Sequence, residues 1–160
     1  MTSLRQRGFT LIELIIFIVV VAAGLAGILS VMNTVVKSSA DPMIRKQTIA
    51  IAESLLEEIL LKDYCDPDTV DLTTSPPTCG VHTVEANRSL YDDVDDYAGY
   101  TSTGIKDLTA STIAGLTAYN ISPAVTVTTT TLNSLTVKKV IVSVTGPQGA
   151  ISLTGYRSNY

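Results

Sequence analysis

The sequence predicts an α+β fold: one long N-terminal α-helix, hydrophobic in its first half, packed by its second half on a C-terminal antiparallel β-sheet. Three observations predict it. No charged residue occurs from Leu14 to Val36. Apolar residues then recur at three- and four-residue steps from Ile44 to Ile59, the spacing of one helix face. The C-terminal part is rich in Val, Ile and Thr and is punctuated by Gly and Pro, the composition of short strands and turns.

The first element opens on a basic stub, Arg5-Gln6-Arg7-Gly8, and an apolar run that begins at Phe9. About 20 apolar residues cross a bilayer core as a helix, and this run is long enough. It carries one acid near its head, Glu13. A charge in a spanning helix costs roughly 2.5–3.5 kcal/mol on insertion scales, so Glu13 calls for a partner. Three readings compete: a secretory signal peptide, a plain single-pass anchor, or a segment processed at its head. The run is too long for a signal peptide, and Glu13 fits poorly in one. Gly24 and Gly27 weaken the helix by about 1 kcal/mol each against Ala. They serve either close helix packing or local loosening.

Gly8-Phe9-Thr10-Leu11-Ile12-Glu13, with the basic leader and the apolar run, resembles the processing site of type IV pilins and type II secretion pseudopilins. The resemblance implies cleavage after Gly8 by a prepilin peptidase and methylation of the new amine of Phe9. It implies a helix that first lies in membrane lipid and later packs with other pilin subunits, built in by an inner-membrane assembly platform. Glu13 would meet the amine of a neighbouring subunit's Phe9, or that of its own chain one turn away. Arg5 and Arg7 before the run are balanced by Lys37, Arg45 and Lys46 after it, so the positive-inside rule is nearly tied. The resemblance and the cysteines place the C-terminal part on the periplasmic side of a bacterial inner membrane, and outside the cell after assembly.

The second half of the helix is expected over residues 37–62, with Ile44, Thr48, Ile51, Ala52, Leu55 and Ile59 on its buried stripe. Pro42 predicts a kink or a restart, with Asp41 suited to an N-cap. The stretch Ile51-Ala-Glu-Ser-Leu-Leu-Glu-Glu-Ile59 further resembles minor pilins of the mannose-sensitive haemagglutinin (MSHA) group. The expected organisation is a cleaved leader at 1–8, a membrane or filament-core helix at 9–36, an amphipathic helix at 37–62 and a globular head at 63–160.

Residues 63–115 read as loop-rich. Cys65 and Cys79 are the only cysteines. In the exported domain that the resemblance implies, an even count points to a disulfide worth roughly 3 kcal/mol for a loop of this size. His82 lies near them, but one His with two Cys is a thin metal set. Tyr91-Asp92-Asp93-Val94-Asp95-Asp96-Tyr97 is the one cluster that could bind something. Four carboxylates suit a hard cation such as calcium. An EF-hand frame starting at Asp93 fails: Gly99 comes one position late, Tyr97 replaces a ligand and Gly104 stands at the twelfth position. A capped, solvated acidic loop is therefore expected, with no metal or other cofactor. Calcium on Asp92, Asp93, Asp95 and Asp96 is one alternative, and a subunit contact through Tyr91, Tyr97 or Tyr100 is another.

Strands are expected over Leu116–Thr130, Leu135–Thr145 and Ala150–Tyr156. Pro123 marks an edge or a bulge, and Gly146-Pro147-Gln148-Gly149 marks a turn. Consecutive strands with short turns form a meander.

Several function classes fall away. Ten acidic residues and two basic ones, Arg88 and Lys106, lie between Asp63 and Asp107, and the net charge is −4. No nucleic-acid surface fits that balance. No Gly-rich phosphate loop or HExxH is present, and a lone His82 makes no triad without geometry, so no enzymatic activity is expected. The reading is a minor pilin of a type IV, MSHA-like pilus serving adhesion or motility. The alternatives are a type II secretion pseudopilin and an anchored binding domain that never polymerises.

Overall fold

This computed structural model describes residues 9–75 and 77–159, with backbone alone between 36 and 40. Two compact units divide after Pro42. Helix α1, Leu11–Leu60, contributes to both.

In the first unit α1 starts where the Thr10 carbonyl accepts the amides of Glu13 (3.1 Å) and Leu14 (3.2 Å). Its residues from Leu11 to Val35 are all exposed. Pro42 lies inside the helix, so the restart anticipated there does not occur, and Asp41 is an interior residue instead of an N-cap. Proline removes one i→i−4 bond, and the turns on either side keep theirs.

The second unit holds the C-terminal part of α1, a 3₁₀ turn at Asp95–Tyr97 and five strands: β1 Ser102–Thr103, β2 Asn120–Ile121, β3 Thr126–Leu132, β4 Leu135–Gly146 and β5 Gly149–Ser158. Every pairing is antiparallel. β4 is the central strand. β5 follows one side of it, from Val137↔Ser158 to Gly146↔Gly149. β3 takes the first part of the other side, down to Thr126↔Ile141, and β2 takes the end at Ile121↔Val144. The predicted α+β class, a long helix with an antiparallel sheet, is thus the observed one. Pro123, in the cis bond Ser122–Pro123, sits in the gap between β2 and β3. The β3–β4 turn is Asn133-Ser134, both with positive φ (50° and 68°), as a two-residue hairpin matching strand twist requires.

The core forms between one face of β4 and one stripe of α1. Side chains alternate across a strand, and Val140, Val142 and Val144 are fully buried. Thr48, Ala52, Leu55 and Ile59 of α1 are buried too, at the anticipated helical spacing. Each fully buried aliphatic side chain contributes roughly 1.5–3 kcal/mol. Gly155 of β5 lets the strand approach the helix: a Cβ there would lie 2.7 Å from Leu60 Cδ1 and 3.1 Å from Leu56 Cδ1.

Candidate functional site

Two regions hold chemistry that the fold alone does not require. The first is the N-terminal segment. Gly8, the anticipated cleavage residue, lies outside the described residues. Phe9 is 84% exposed, and Glu13 lies in the first turn of α1, where the helix dipole favours an acid. From Leu11 to Val35 the helix is long and apolar enough to cross a membrane, and none of it is buried. A helix apolar on every face is stable only inside lipid or a bundle of helices.

The second region follows the end of α1. Cys65 and Cys79 are joined by a disulfide. The acidic segment is tied to the helix exit by backbone bonds, Asp63 N–H to Asp92 O and Val94 N–H to Asp63 O, both 3.1 Å. Val94 and Tyr97 then plunge into the core, each fully buried. The Tyr97 hydroxyl donates to Glu58 Oε1 of α1 at 2.6 Å. Arg88 pairs with the same carboxylate, Nε donating to Oε1 at 2.9 Å and Nη2 bonding Oε2, and Nη1 donates to the Lys106 carbonyl at 3.0 Å. Burial alone would raise the Glu58 carboxyl. The hydrogen bonds from Arg88 and Tyr97, with the charges of Arg88 and Lys62, more than offset it and hold that carboxyl below 4.5.

This inward turn carries acids with it. Asp93 is fully buried and Asp96 is 4% exposed, so the solvated acidic loop anticipated from composition is not what forms. Tyr97 is a core residue and not a surface contact: its ring meets Tyr91 edge-on at 4.9 Å and Tyr100 at 6.3 Å. The four candidate carboxylates are also separated. Asp95 turns to Lys138 Nζ at 2.9 Å. Lys138 sits on the same face of β4 as Val140 and is itself buried, with its ammonium also on the Tyr64 carbonyl and over the Tyr64 ring at 4.6 Å.

Asp93 joins His82 and Asp66; Asp92 and Asp96 join Glu85. In each trio the ligand-capable atoms lie within 4.8 Å of one another. The first trio is satisfied by protein donors. Asp66 Oδ2 accepts from the Thr83 amide (2.8 Å) and hydroxyl (2.6 Å), and its Oδ1 from the Asp68 amide (2.8 Å). His82 Nδ1 meets Asp93 Oδ2 at 3.0 Å. The Thr83 bonds hold the Asp66 carboxyl below its usual range. In the second trio, burial and the surrounding acids push the Asp92 carboxyl up. Sharing with Asp96, and then burial, push that of Glu85 up to about 7.

Glu85 is the site residue that the sequence reading missed. It stands alone in Val84-Glu85-Ala86-Asn87, and only tertiary folding brings it to Asp92 and Asp96. Both ring nitrogens of His82 face carboxylates, Nδ1 on Asp93 and Nε2 3.8 Å from Asp96 Oδ1. Among the described residues, this His–Asp pair is therefore directed at acids and not at a nucleophile. A groove of about 450 Å³ beside α1 is lined by Ile51, Ile105, Leu108 and Ile113; of its charged members, Glu58 and Arg88 pair with each other, and Lys106 and Asp107 lie beside them.

Comparison with known proteins bears on the first region. Neither the curated proteins nor the solved structures yield a match. A family model described as the prokaryotic N-terminal methylation motif matches residues 3–29. That motif is structural and not enzymatic, and it implies processing by a prepilin peptidase and assembly with other pilins. Together with the apolar helix, the motif supports a membrane-anchored, type IV pilin-like prepilin.

Proposed function

We propose that this chain is a minor pilin of a type IV pilus of the MSHA kind, similar in character to its D-type subunit. The observation that carries the reading is the methylation motif at residues 3–29 running into an apolar helix that is exposed from Leu11 to Val35. The subunit waits in the inner membrane by this helix, with its second unit in the periplasm. The peptidase cuts after Gly8 and methylates Phe9. The assembly platform then lifts the helix from lipid into the filament core. Glu13 docks on the ammonium of a neighbour's Phe9, where apolar surroundings strengthen the attraction and the paired charge offsets the desolvation of the carboxylate. The second unit is displayed on the filament for adhesion or motility.

The test is the N-terminal mass of the protein recovered from sheared surface filaments. The expected chain starts at Phe9 and carries one methyl group. An intact Met1 terminus on protein confined to the inner membrane would remove the reading and leave an anchored domain that never polymerises. A strain lacking the protein then separates pilus from type II secretion: loss of surface attachment with normal exoprotein release fits a pilin, and the converse fits a pseudopilin.

A further inference from the structure

Three carboxylates converge in the second unit, each with one buried oxygen that no protein donor reaches. Glu85, Asp92 and Asp96 each offer an oxygen within 4.8 Å of the others. One oxygen of each residue, Glu85 Oε2, Asp92 Oδ1 and Asp96 Oδ1, is buried and accepts no hydrogen bond. The Asp96 side chain is wholly enclosed. Its Oδ2 accepts the amides of Asp92 (3.0 Å) and Asp93 (3.3 Å), which fixes the carboxylate and leaves Oδ1 to the other two acids. The nearest positive group is His82 Nε2, at 3.8 Å from Oδ1, beyond hydrogen-bonding distance. Among the described residues no Lys or Arg pairs with any of the three.

Buried carboxylates are paired, hydrogen-bonded or bound to metal. The neighbouring trio serves as a control within the same molecule. Asp66, His82 and Asp93 converge as closely, yet their oxygens are taken by Thr83, Asp68 and His82. Only the Glu85 trio is left with orphaned oxygens.

We propose that Glu85, Asp92 and Asp96 form a binding site for one calcium ion. The donor set is all oxygen and formally trivalent, which selects a hard cation. Three convergent carboxylates suit calcium, which accepts carboxylate oxygens in flexible geometry, whereas magnesium demands a near-ideal octahedron and usually takes only one or two carboxylates. Zinc prefers nitrogen and sulfur, and His82 Nδ1 is already engaged by Asp93. Glu85 and Asp92 are only half-buried, so water completes the coordination from outside. The ligands come from two separated segments, which is why no EF-hand frame detects them. The ion ties Glu85 to the Asp92–Asp96 turn, and through the Asp63–Asp92 bond to the exit of α1.

The test is calorimetric titration of the full-length chain, purified in detergent and stripped with EGTA, with calcium chloride and separately with magnesium chloride. One calcium per chain is expected, with Kd of about 10⁻⁴–10⁻³ M, the range of extracellular modules, and magnesium at least tenfold weaker. The thermal midpoint should rise with calcium. Glu85→Gln and Asp92→Asn should each weaken calcium at least tenfold, yet leave the stripped protein equally or more stable, because each removes an unpaired like charge. A residue with a merely structural role would lower the stripped midpoint instead. Asp96 is spared because its Oδ2 also caps backbone amides. No calcium binding by the unmodified chain up to about 10 mM, far above that range, overturns the proposal without recourse to any variant. So does undiminished binding by the Glu85→Gln/Asp92→Asn protein, or magnesium binding of equal strength.

Discussion

The apolar part of α1 and the acidic turn break the same rule of protein interiors in opposite directions. From Leu11 to Val35 the helix places large apolar side chains outside, Phe17 and Leu29 among them at more than half exposed. The turn places carboxylates inside, with Asp93 and Asp96 enclosed. Both arrangements are costly unless a partner offsets them: for the helix, apolar surroundings; for the turn, donors that the chain itself supplies to Asp93 and to one oxygen of Asp96. The kind of relief differs. Apolar area is satisfied by any apolar neighbour in proportion to contact, about 25 cal/mol per Å², so lipid and sister helices serve equally. An unpaired carboxylate needs a charge or a donor at one point and in one direction. The helix can therefore exchange one environment for another, as a subunit leaving a membrane for a filament must. The orphaned oxygens of the acidic turn admit only a partner of matching charge and size, which is what the proposed ion would be.

The sharpest way to break this comparison is to put a charge into the helix. Val21→Asp, near the middle of Leu11–Val35, should cost about 2.5–3.5 kcal/mol of insertion free energy, about two orders of magnitude in the insertion equilibrium. Membrane association measured by alkaline extraction should fall accordingly. The thermal midpoint of the second unit should not move, because its core draws on α1 only from Ile44 onward. Undiminished membrane association would mean that the helix does not depend on lipid before assembly.

The next effect concerns a buried charge that is already complete. Breaking a fully buried ion pair typically costs 3–5 kcal/mol. The Glu58 side chain keeps 26% of its exposure, so Glu58→Gln should cost about 2 kcal/mol at pH 7 by urea unfolding. The pH dependence has a definite sign. The Glu58 carboxyl is held below 4.5 in the fold, so its contribution is fully present above its unfolded value and is lost as pH falls through the folded one. The gap between wild type and variant should therefore hold at pH values above 4.5 and narrow as pH falls below it. A gap that does not narrow at any pH down to acid unfolding would assign the loss to packing and not to charge.

How far the sequence carried differs between the two regions for a physical reason. Hydrophobic periodicity reports burial directly, so the Ile44–Ile59 stripe and strand β4 could be read residue by residue. The charge-free run declared its own exposure to something other than water. The acidic turn hid its direction because four Asp residues outweigh Val94 and Tyr97 in any composition, although those two, three positions apart, are what pull the segment inward. Lys138 was similarly disguised: it shares a strand face with Val140, and its ammonium is tolerated there because Asp95 and the Tyr64 carbonyl meet it. Glu85 had no local signal at all. Pro42 left a kink and a restart open; the helix runs on through it, since losing one hydrogen bond does not oblige a helix to end.

The smallest expected effect separates two accounts of the glycines in the apolar helix. A Cβ at Gly24 or Gly27 would meet nothing within 4 Å, and the two line a shallow groove with Ala23, Ile28, Val31 and Met32. Alanine therefore fits at both positions and should strengthen the helix by about 1 kcal/mol per substitution, read as slower amide exchange around residues 24–27 in detergent. Within the isolated chain the change is favourable. Its cost appears only if a neighbouring helix uses the notch, where small residues let backbones approach, or if this stretch must loosen on entering the filament. Under either account Gly24→Ala/Gly27→Ala should lower filament yield while membrane association stays normal. Hydrogen exchange on assembled filaments then decides between them. Protection at residues 24–27 as high as in the detergent-held chain means that the notch is packed, and lower protection means that the helix opens there. An unchanged filament yield would remove both accounts and leave the two glycines without a role in assembly.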